Sequence, residues 1–212
     1  MNEHLLRFDN DKTYTFIDCE TENLCLNSFH NLPWQIAMIK VKGEQVIDTK
    51  NYYVSWDREL HVSKEAARIT RFNTKTHREK SVPFDKMFPT MKDWLESSDY
   101  IVGHNLLGFD IYLIRDFYKK MGEDYKPLMP KILDTLAIAR GLKSGELYKN
   151  NKSFLEYQYK MINYIRKGMR TSLSALGKEN EIDHDYDSLH DALVDLELNL
   201  KVWNYLKWKV EI

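Results

Sequence analysis

The segment Tyr14-Thr-Phe-Ile-Asp-Cys-Glu-Thr-Glu-Asn-Leu24 constrains the fold more than any other stretch of the chain. β-Branched and aromatic residues fill it as far as Asp18, which is the composition of a strand. Side chains on a strand alternate between faces, so Tyr14, Phe16, Asp18 and Glu20 share one face and Thr15, Ile17 and Cys19 the other. A strand that begins as core therefore ends with two carboxylates on the same side. At a rise of roughly 3.3 Å per residue they stand about 6–7 Å apart, a spacing that suits two carboxylates reaching one hard cation between them.

The chain around this strand reads as a mixed sheet with helices about it. Residues 1–12 are a polar lead-in, and Glu22-Asn23 forms a turn, since Asn tolerates left-handed backbone angles. Pro33 precedes a second strand, Trp34 to Val41; Lys42-Gly43-Glu44 makes a hairpin turn; Val46 to Ser55 is a third strand. These three form an antiparallel meander. Helical spacing follows at Lys64–Ile69, then a loop, then a helix from Phe84 to Leu95. Tyr100–Gly103 is a fourth strand, Gly108–Met121 a helix ended by Gly122, and Lys131–Asp134 a fifth strand. Helices begin at Thr135 and Ser172, and a long one closes the chain from Ser188 to about Trp208. The fold class is α/β, with a five-stranded mixed sheet of a three-strand antiparallel meander plus two parallel strands.

The chain has 212 residues, enough for one good-sized core, and residues 1–212 read as a single domain. Hydrophobic residues make up 43% and charged residues 30%, which excludes a disordered chain. No apolar run is long enough to cross a bilayer and no signal peptide opens the chain, so the expected setting is cytoplasmic and away from membranes. Cys19 and Cys25, with Cys19 on the core side of its strand, fit reduced thiols better than a disulfide. The net charge of −1 excludes a protein that coats nucleic acid through bulk electrostatics, though not an enzyme that holds a few nucleotides through metal ions.

Residues 143–170 stand apart. They carry seven Lys or Arg (Lys143, Lys149, Lys152, Lys160, Arg166, Lys167, Arg170) against Glu146 and Glu156, with Tyr148, Phe154, Tyr157, Tyr159 and Tyr164 interleaved. Phe154, Tyr157, Met161 and Ile165 share one helical face, and Lys160 and Lys167 lie opposite. The segment reads either as a surface amphipathic helix with solvated charges or as an arm over a nucleic-acid strand, with cations for phosphate and aromatics for bases.

Two further carboxylates join the first pair. Asp110 opens a helix whose Ile114, Phe117 and Met121 form its apolar stripe. It is either a first-turn helix cap or a buried carboxylate in need of a cation. Asp195 flanks the core stripe Leu193, Leu196, Leu200 and Trp203 of the closing helix. His190, five residues earlier, lies about 140° away on an ideal helix. The two converge only if His190 sits where the helix begins irregularly, and Asp191, one turn before Asp195, is the geometric rival. Four carboxylates on three separate elements plus one histidine are the inventory of two-metal phosphoryl chemistry, in which hard cations neutralise the phosphate and a histidine takes the proton of the attacking water.

In order and spacing these residues resemble the DEDDh 3′–5′ exonucleases, which include the proofreading subunits of bacterial replicases. Ile17-Asp18-Cys-Glu20-Thr21 is similar to the first motif, Pro33-Trp-Gln-Ile-Ala to the start of the second strand, and Val102-Gly-His-Asn105-Leu-Leu-Gly-Phe109-Asp110 to the second motif. Leu133-Asp134-Thr135 resembles a linking segment, and His190-Asp-Ala-Leu-Val-Asp195 the third motif, His-x-Ala-x-x-Asp. The resemblance implies an RNase H-like fold and hydrolysis from the 3′ end of a nucleic acid, releasing nucleoside 5′-monophosphates; the leading expectation for the substrate is single-stranded DNA. It implies two Mg²⁺ or Mn²⁺ ions held by Asp18, Glu20, Asp110 and Asp195, with His190 as general base. Leu24 would meet the terminal base, Asn105 and Phe109 the terminal nucleotides, and the backbone around Thr21 the terminal 3′ hydroxyl. The alternatives are an exoribonuclease of the same chemistry and a non-catalytic nucleic-acid-binding module. A polymerase partner is compatible with the resemblance, but no segment points to one. Where the family often has Thr-Gly after its first Glu-Thr, this chain has Glu22-Asn23, which is expected to put negative charge beside the place where substrate enters.

Overall fold

The computed structural model describes residues 5–24, 26, 31–149 and 153–212; Cys25 and Lys152 lie outside the described residues. Strands β1 (Thr13–Thr21), β2 (Pro33–Lys42) and β3 (Gln45–Ser55) form the expected antiparallel meander. Helices α1 (Lys64–Thr70) and α2 (Thr74–Lys80) follow, then β4 (Val82–Pro83), α3 (Phe84–Ser97), β5 (Tyr100–Gly103), α4 (Asp110–Lys120), β6 (Ile132–Asp134) and α5 (Thr135–Ser144). The chain continues through α6 (Phe154–Ile162), α7 (Leu173–Glu179) and α8 (Ala192–Leu206). The sheet order is β4-β3-β2-β1-β5-β6, with β5 parallel to both β1 and β6.

The alternation along β1 sorts the core into two layers. Ile17 and Cys19, with Ile36 and Met38 opposite them, pack under α3 and α4. Tyr14 and Phe16, with Ile39 and Val41, pack under α5, α7 and α8. Each layer removes a continuous apolar surface from water, the main favourable contribution to folding.

Four differences from the expected elements have physical causes. The described sheet has six strands rather than five. The extra one, β4, pairs only Val82 and Pro83 with Val54 and Ser55, too short to show a period of two, and its proline lacks the N–H that an interior strand needs. Helix α2 lies in the expected loop: Asn73 Oδ1 accepts from the Thr76 N–H at 2.9 Å, but Thr-Lys-Thr-His-Arg-Glu-Lys has no aliphatic stripe. The closing helix starts at Ala192 rather than Ser188, because the Asp191 side chain accepts from the Leu193 N–H and caps it there. Helix α6 stops at Ile162, so Ile165 is off its apolar face and 86% exposed.

The segment 143–170 is tied into the body by specific polar contacts. Buried Gln158 of α6 takes the Asp134 N–H on its Oε1 at 2.6 Å and donates Nε2 to the Ile132 carbonyl at 2.9 Å, pairing with both ends of β6. Lys160 pairs with Glu146 and Lys143 with Glu179, so these two cations serve the protein's own surface. Replacing Gln158 by Leu strands a buried N–H and a buried carbonyl. The expected loss is about 2–3 kcal/mol, read as a lower urea midpoint at unchanged slope; an unchanged midpoint would contradict this account of α6.

Candidate active site

Three carboxylates meet at the end of β1. One oxygen each from Asp18, Glu20 and Asp195 lies within 4.8 Å of the others. The first two arrive from alternate positions of one strand and the third from the first turn of α8. Asp110 opens α4 on the far side of β1; it is 3% exposed, and its buried Oδ1 has no hydrogen-bond partner. It lies outside the trio, yet its charge stands second only to burial in raising Asp18.

The electrostatics are those of partly buried anionic groups crowded together. Burial first, then Asp110, Glu20 and Asp195, push Asp18 well above the ordinary carboxylate range. Burial, then Asp195 and Asp110, push Glu20 up to about 9. Asp110 is pushed up to about 7 by burial, although its own N–H and the thiol and N–H of Cys19 favour its ionised form. Burial raises Asp195 as well, offset in part by His190, whose backbone N–H reaches Asp195 Oδ1 at 3.3 Å. Hard oxygen donors, a buried oxygen with no partner and shifts that a positive charge would reverse together fit a divalent cation.

The histidine and its rivals separate clearly. His190 precedes α8 with a left-handed backbone, φ 71°, which turns it out of the helical register that would have kept it from Asp195. Its side chain is exposed. Asp191 is occupied elsewhere: besides capping α8, its Oδ2 accepts from Gln35 Nε2 at 3.2 Å. His104 is also committed, with Nδ1 on Thr135 Oγ1 and Nε2 on the Thr171 carbonyl, both at 3.0 Å, and burial lowers it to about 4.

The residues expected to contact substrate lie on two segments, the end of β1 with the turn after it and the turn into α4. Thr21 ends β1, its hydroxyl donating to the Asn23 carbonyl at 2.5 Å. Leu24 is 48% exposed just beyond. Asn105, φ 65°, and half-buried Phe109 bracket the turn into α4. Gly108 lets the Asn105 side chain lie close, since a Cβ there would stand 2.3 Å from Asn105 Oδ1 and push that side chain aside.

The expectation for Glu22 is overturned. Its side chain is 1% exposed and turned inward, where Arg58 grips both oxygens at 2.8 and 2.6 Å and the His61 and Leu32 N–H groups donate as well. Burial pushes this carboxyl up, but Arg58 and the two amides outweigh it and hold Glu22 below the ordinary range. The turn after β1 is thus braced by a paired charge and presents no free one. Sequence reasoning also passed over Asp134 as a mere link. It is buried and accepts from the Asn105 N–H at 3.1 Å and the Leu107 N–H at 2.9 Å while capping α5 through Leu136 and Ala137. An Asp at a strand-to-helix junction was the available signal.

Raised carboxylates make a signed prediction. Glu20 and Asp110 stay protonated in the folded state to higher pH than in the unfolded chain. Their contribution is therefore present below the ordinary carboxylate range and is lost as pH rises towards about 9. A bound divalent cation favours the ionised forms. Melting temperature in EDTA should fall from about pH 5 to about pH 9, and saturating Mn²⁺ should raise it by an increment that grows with pH. An increment independent of pH would argue against cation binding by these carboxylates.

Known proteins share this fold. The exonuclease family RNase_T matches residues 15–203. A DNA polymerase III of PolC type from Mycoplasma pneumoniae is 25% identical over 203 residues, 95% of this chain but 12% of that protein. Among solved structures, E. coli exonuclease I in complex with a dA16 oligonucleotide is similar with a TM-score of 0.73 and 20% identity, over 94% of this chain and 41% of that one. A zinc-bound exonuclease I–single-stranded DNA complex gives 0.72 and 20%, over the same shares. The chain thus spans less than half the length of these relatives. The expected fold is confirmed, and the chain belongs to the RNase_T exonuclease family, the DEDD-type 3′–5′ exonucleases of the RNase H-like superfamily.

Proposed function

We propose that this chain removes nucleotides from the 3′ end of single-stranded DNA, releasing nucleoside 5′-monophosphates. The observation that carries this reading is the meeting of Asp18, Glu20 and Asp195 within 4.8 Å, with Asp110, its Oδ1 unpartnered, acting on Asp18 and Glu20 through its charge. Two cations, Mg²⁺ or Mn²⁺, held by these four carboxylates would neutralise the scissile phosphate and activate water.

The chain's own groups supply positioning and proton transfer. The exposed His190 imidazole, at the start of α8, accepts the proton of the attacking water. Leu24 presses on the terminal base. Phe109 and Asn105, held by Asp134, line the side facing the last nucleotides, and the backbone at Thr21 meets the 3′ hydroxyl. DNA is favoured over RNA because the similar exonuclease I structures hold dA16 and dT13 oligonucleotides. A reducing, cytoplasmic setting accords with the free thiol of Cys19, buried beside the site. Among the described residues no helix is long and apolar enough to cross a membrane.

Digestion of 3′- and 5′-labelled DNA and RNA oligomers, single- and double-stranded, with Mg²⁺ or EDTA, tests polarity, sugar, strandedness and metal need together. Single-stranded DNA should shorten from its 3′ end in Mg²⁺ alone. Asp18→Ala and Asp195→Ala should each lower kcat by about a thousandfold, on the order of 4 kcal/mol of transition-state stabilisation, with the fold retained by circular dichroism. Metal-dependent cleavage surviving in either variant would refute the reading. Preferential digestion of RNA would move the substrate to the exoribonuclease alternative, and no cleavage of any substrate would favour a binding module.

A further inference from the structure

The segment that delivers His190 is held from outside at two places. Upstream of it, Tyr186–Ser188 forms a short 3-10 turn closed by Asp185, which accepts from the Asp187 N–H and the Ser188 hydroxyl. Arg71 donates its guanidinium to the carbonyl of Asp187. Downstream, Gln35 Nε2 donates to Asp191 Oδ2 at 3.2 Å and to Asn51 Oδ1 at 3.1 Å, tying the start of α8 to β2 and β3. Gln35 stands opposite Glu20 in the β1–β2 register, so this tie is anchored beside the carboxylates.

Leu189 packs against the core layer under α8, whereas His190 beside it is exposed. A pocket of about 370 Å³ opens next to it, lined among others by Trp34, Tyr53, Asn73, Arg71, His190 and Asp191. His190 itself has a left-handed backbone and an exposed side chain, so it could turn towards that space without meeting a packed core.

Both anchoring residues sit where stability alone would favour something else. Arg71 caps α1 with φ 57°, a conformation that glycine adopts at lower cost. Gln35 is fully buried with Oε1 unpartnered, a cost that an aliphatic side chain would avoid. Unfavourable local choices that converge on one functional segment point to function. We propose that Arg71 and Gln35 are positioning residues, a two-point clamp that holds the 187–191 segment so that His190 faces the substrate phosphate. Neither touches the reacting atoms. The proposal rests on the reading of His190 as the base.

Three variants test it. Arg71→Gly removes the guanidinium and accepts the left-handed backbone; Arg71→Lys keeps a cationic donor; Gln35→Leu removes the downstream tie. The measurements are kcat and KM on a labelled single-stranded DNA oligomer, Mn²⁺ affinity by calorimetry, and the NMR order parameter of the His190 amide. In Arg71→Gly, kcat should fall about ten- to a hundredfold while KM and Mn²⁺ affinity stay within about twofold, and the His190 amide should lose order. Arg71→Lys should recover most of kcat, and Gln35→Leu should repeat the Arg71→Gly pattern. Arg71 is exposed, so its variants decide the matter even if Gln35→Leu does not fold. Unchanged His190 order in Arg71→Gly would overturn the clamp, as would unchanged kcat in a protein that His190→Ala inactivates. Full activity in His190→Ala would instead dismiss the base, while the order parameter would still judge the clamp.

Discussion

Carboxylates drawn together in a half-buried site repel one another, and the rest of this molecule serves to hold them there. At the 4.8 Å that bounds Asp18, Glu20 and Asp195, two full charges oppose each other by on the order of 3 kcal/mol at an effective dielectric near 20. That is a large share of the ~5–15 kcal/mol that keeps a domain folded. The groups answer in the only way open to them without a cation, by holding their protons to higher pH. A flexible scaffold would spread them apart. β1 cannot yield, because it lies at the centre of the sheet with a packed layer on each face.

The supports around the site are themselves polar and buried. Asp134 gathers the backbone that leads into α4 and Asp110; Glu22 and Arg58 close the turn after β1; Gln35 joins the sheet to the start of α8. Each spans elements that are distant in sequence, so the site is assembled from interactions that only the finished fold can supply. Buried polar links of this kind specify one arrangement more than they add stability.

This explains what could and could not be read from the chain. Asp18 and Glu20 were legible because a strand's period of two places them on one face, and the order of the motifs brought in Asp110, Asp195 and His190. The choice between Asp191 and Asp195 depended on where α8 begins, which a cap residue sets and apolar spacing does not reveal. The inward turn of Glu22 depended on Arg58, 36 residues away, and local propensity carries no trace of such a partner. Helix α2 was missed because it buries a histidine, bonded to the Val54 carbonyl, in place of an aliphatic stripe. The basic and aromatic residues of 143–170 suggested a nucleic-acid arm, yet Tyr157 donates to the Glu146 carbonyl and Lys160 pairs with that residue's carboxylate. The composition was informative about the surface and silent about its partner.

The bonds from Gln158 to β6 have a consequence for assembly. A sheet ends in a row of backbone groups that can template another chain, and proteins commonly blunt such borders. Here a side-chain amide stands in for the next strand, satisfying the Asp134 N–H and the Ile132 carbonyl. An extended peptide cannot add to that border unless α6 is displaced. At the opposite border, β4 pairs with β3 only at Val54 and Ser55, and the Lys50–Asp48 ion pair lies along the strand. The sheet is thus asymmetric towards strand addition: closed next to β6 by a glutamine, and guarded next to β3 by the two-residue β4 and by charge.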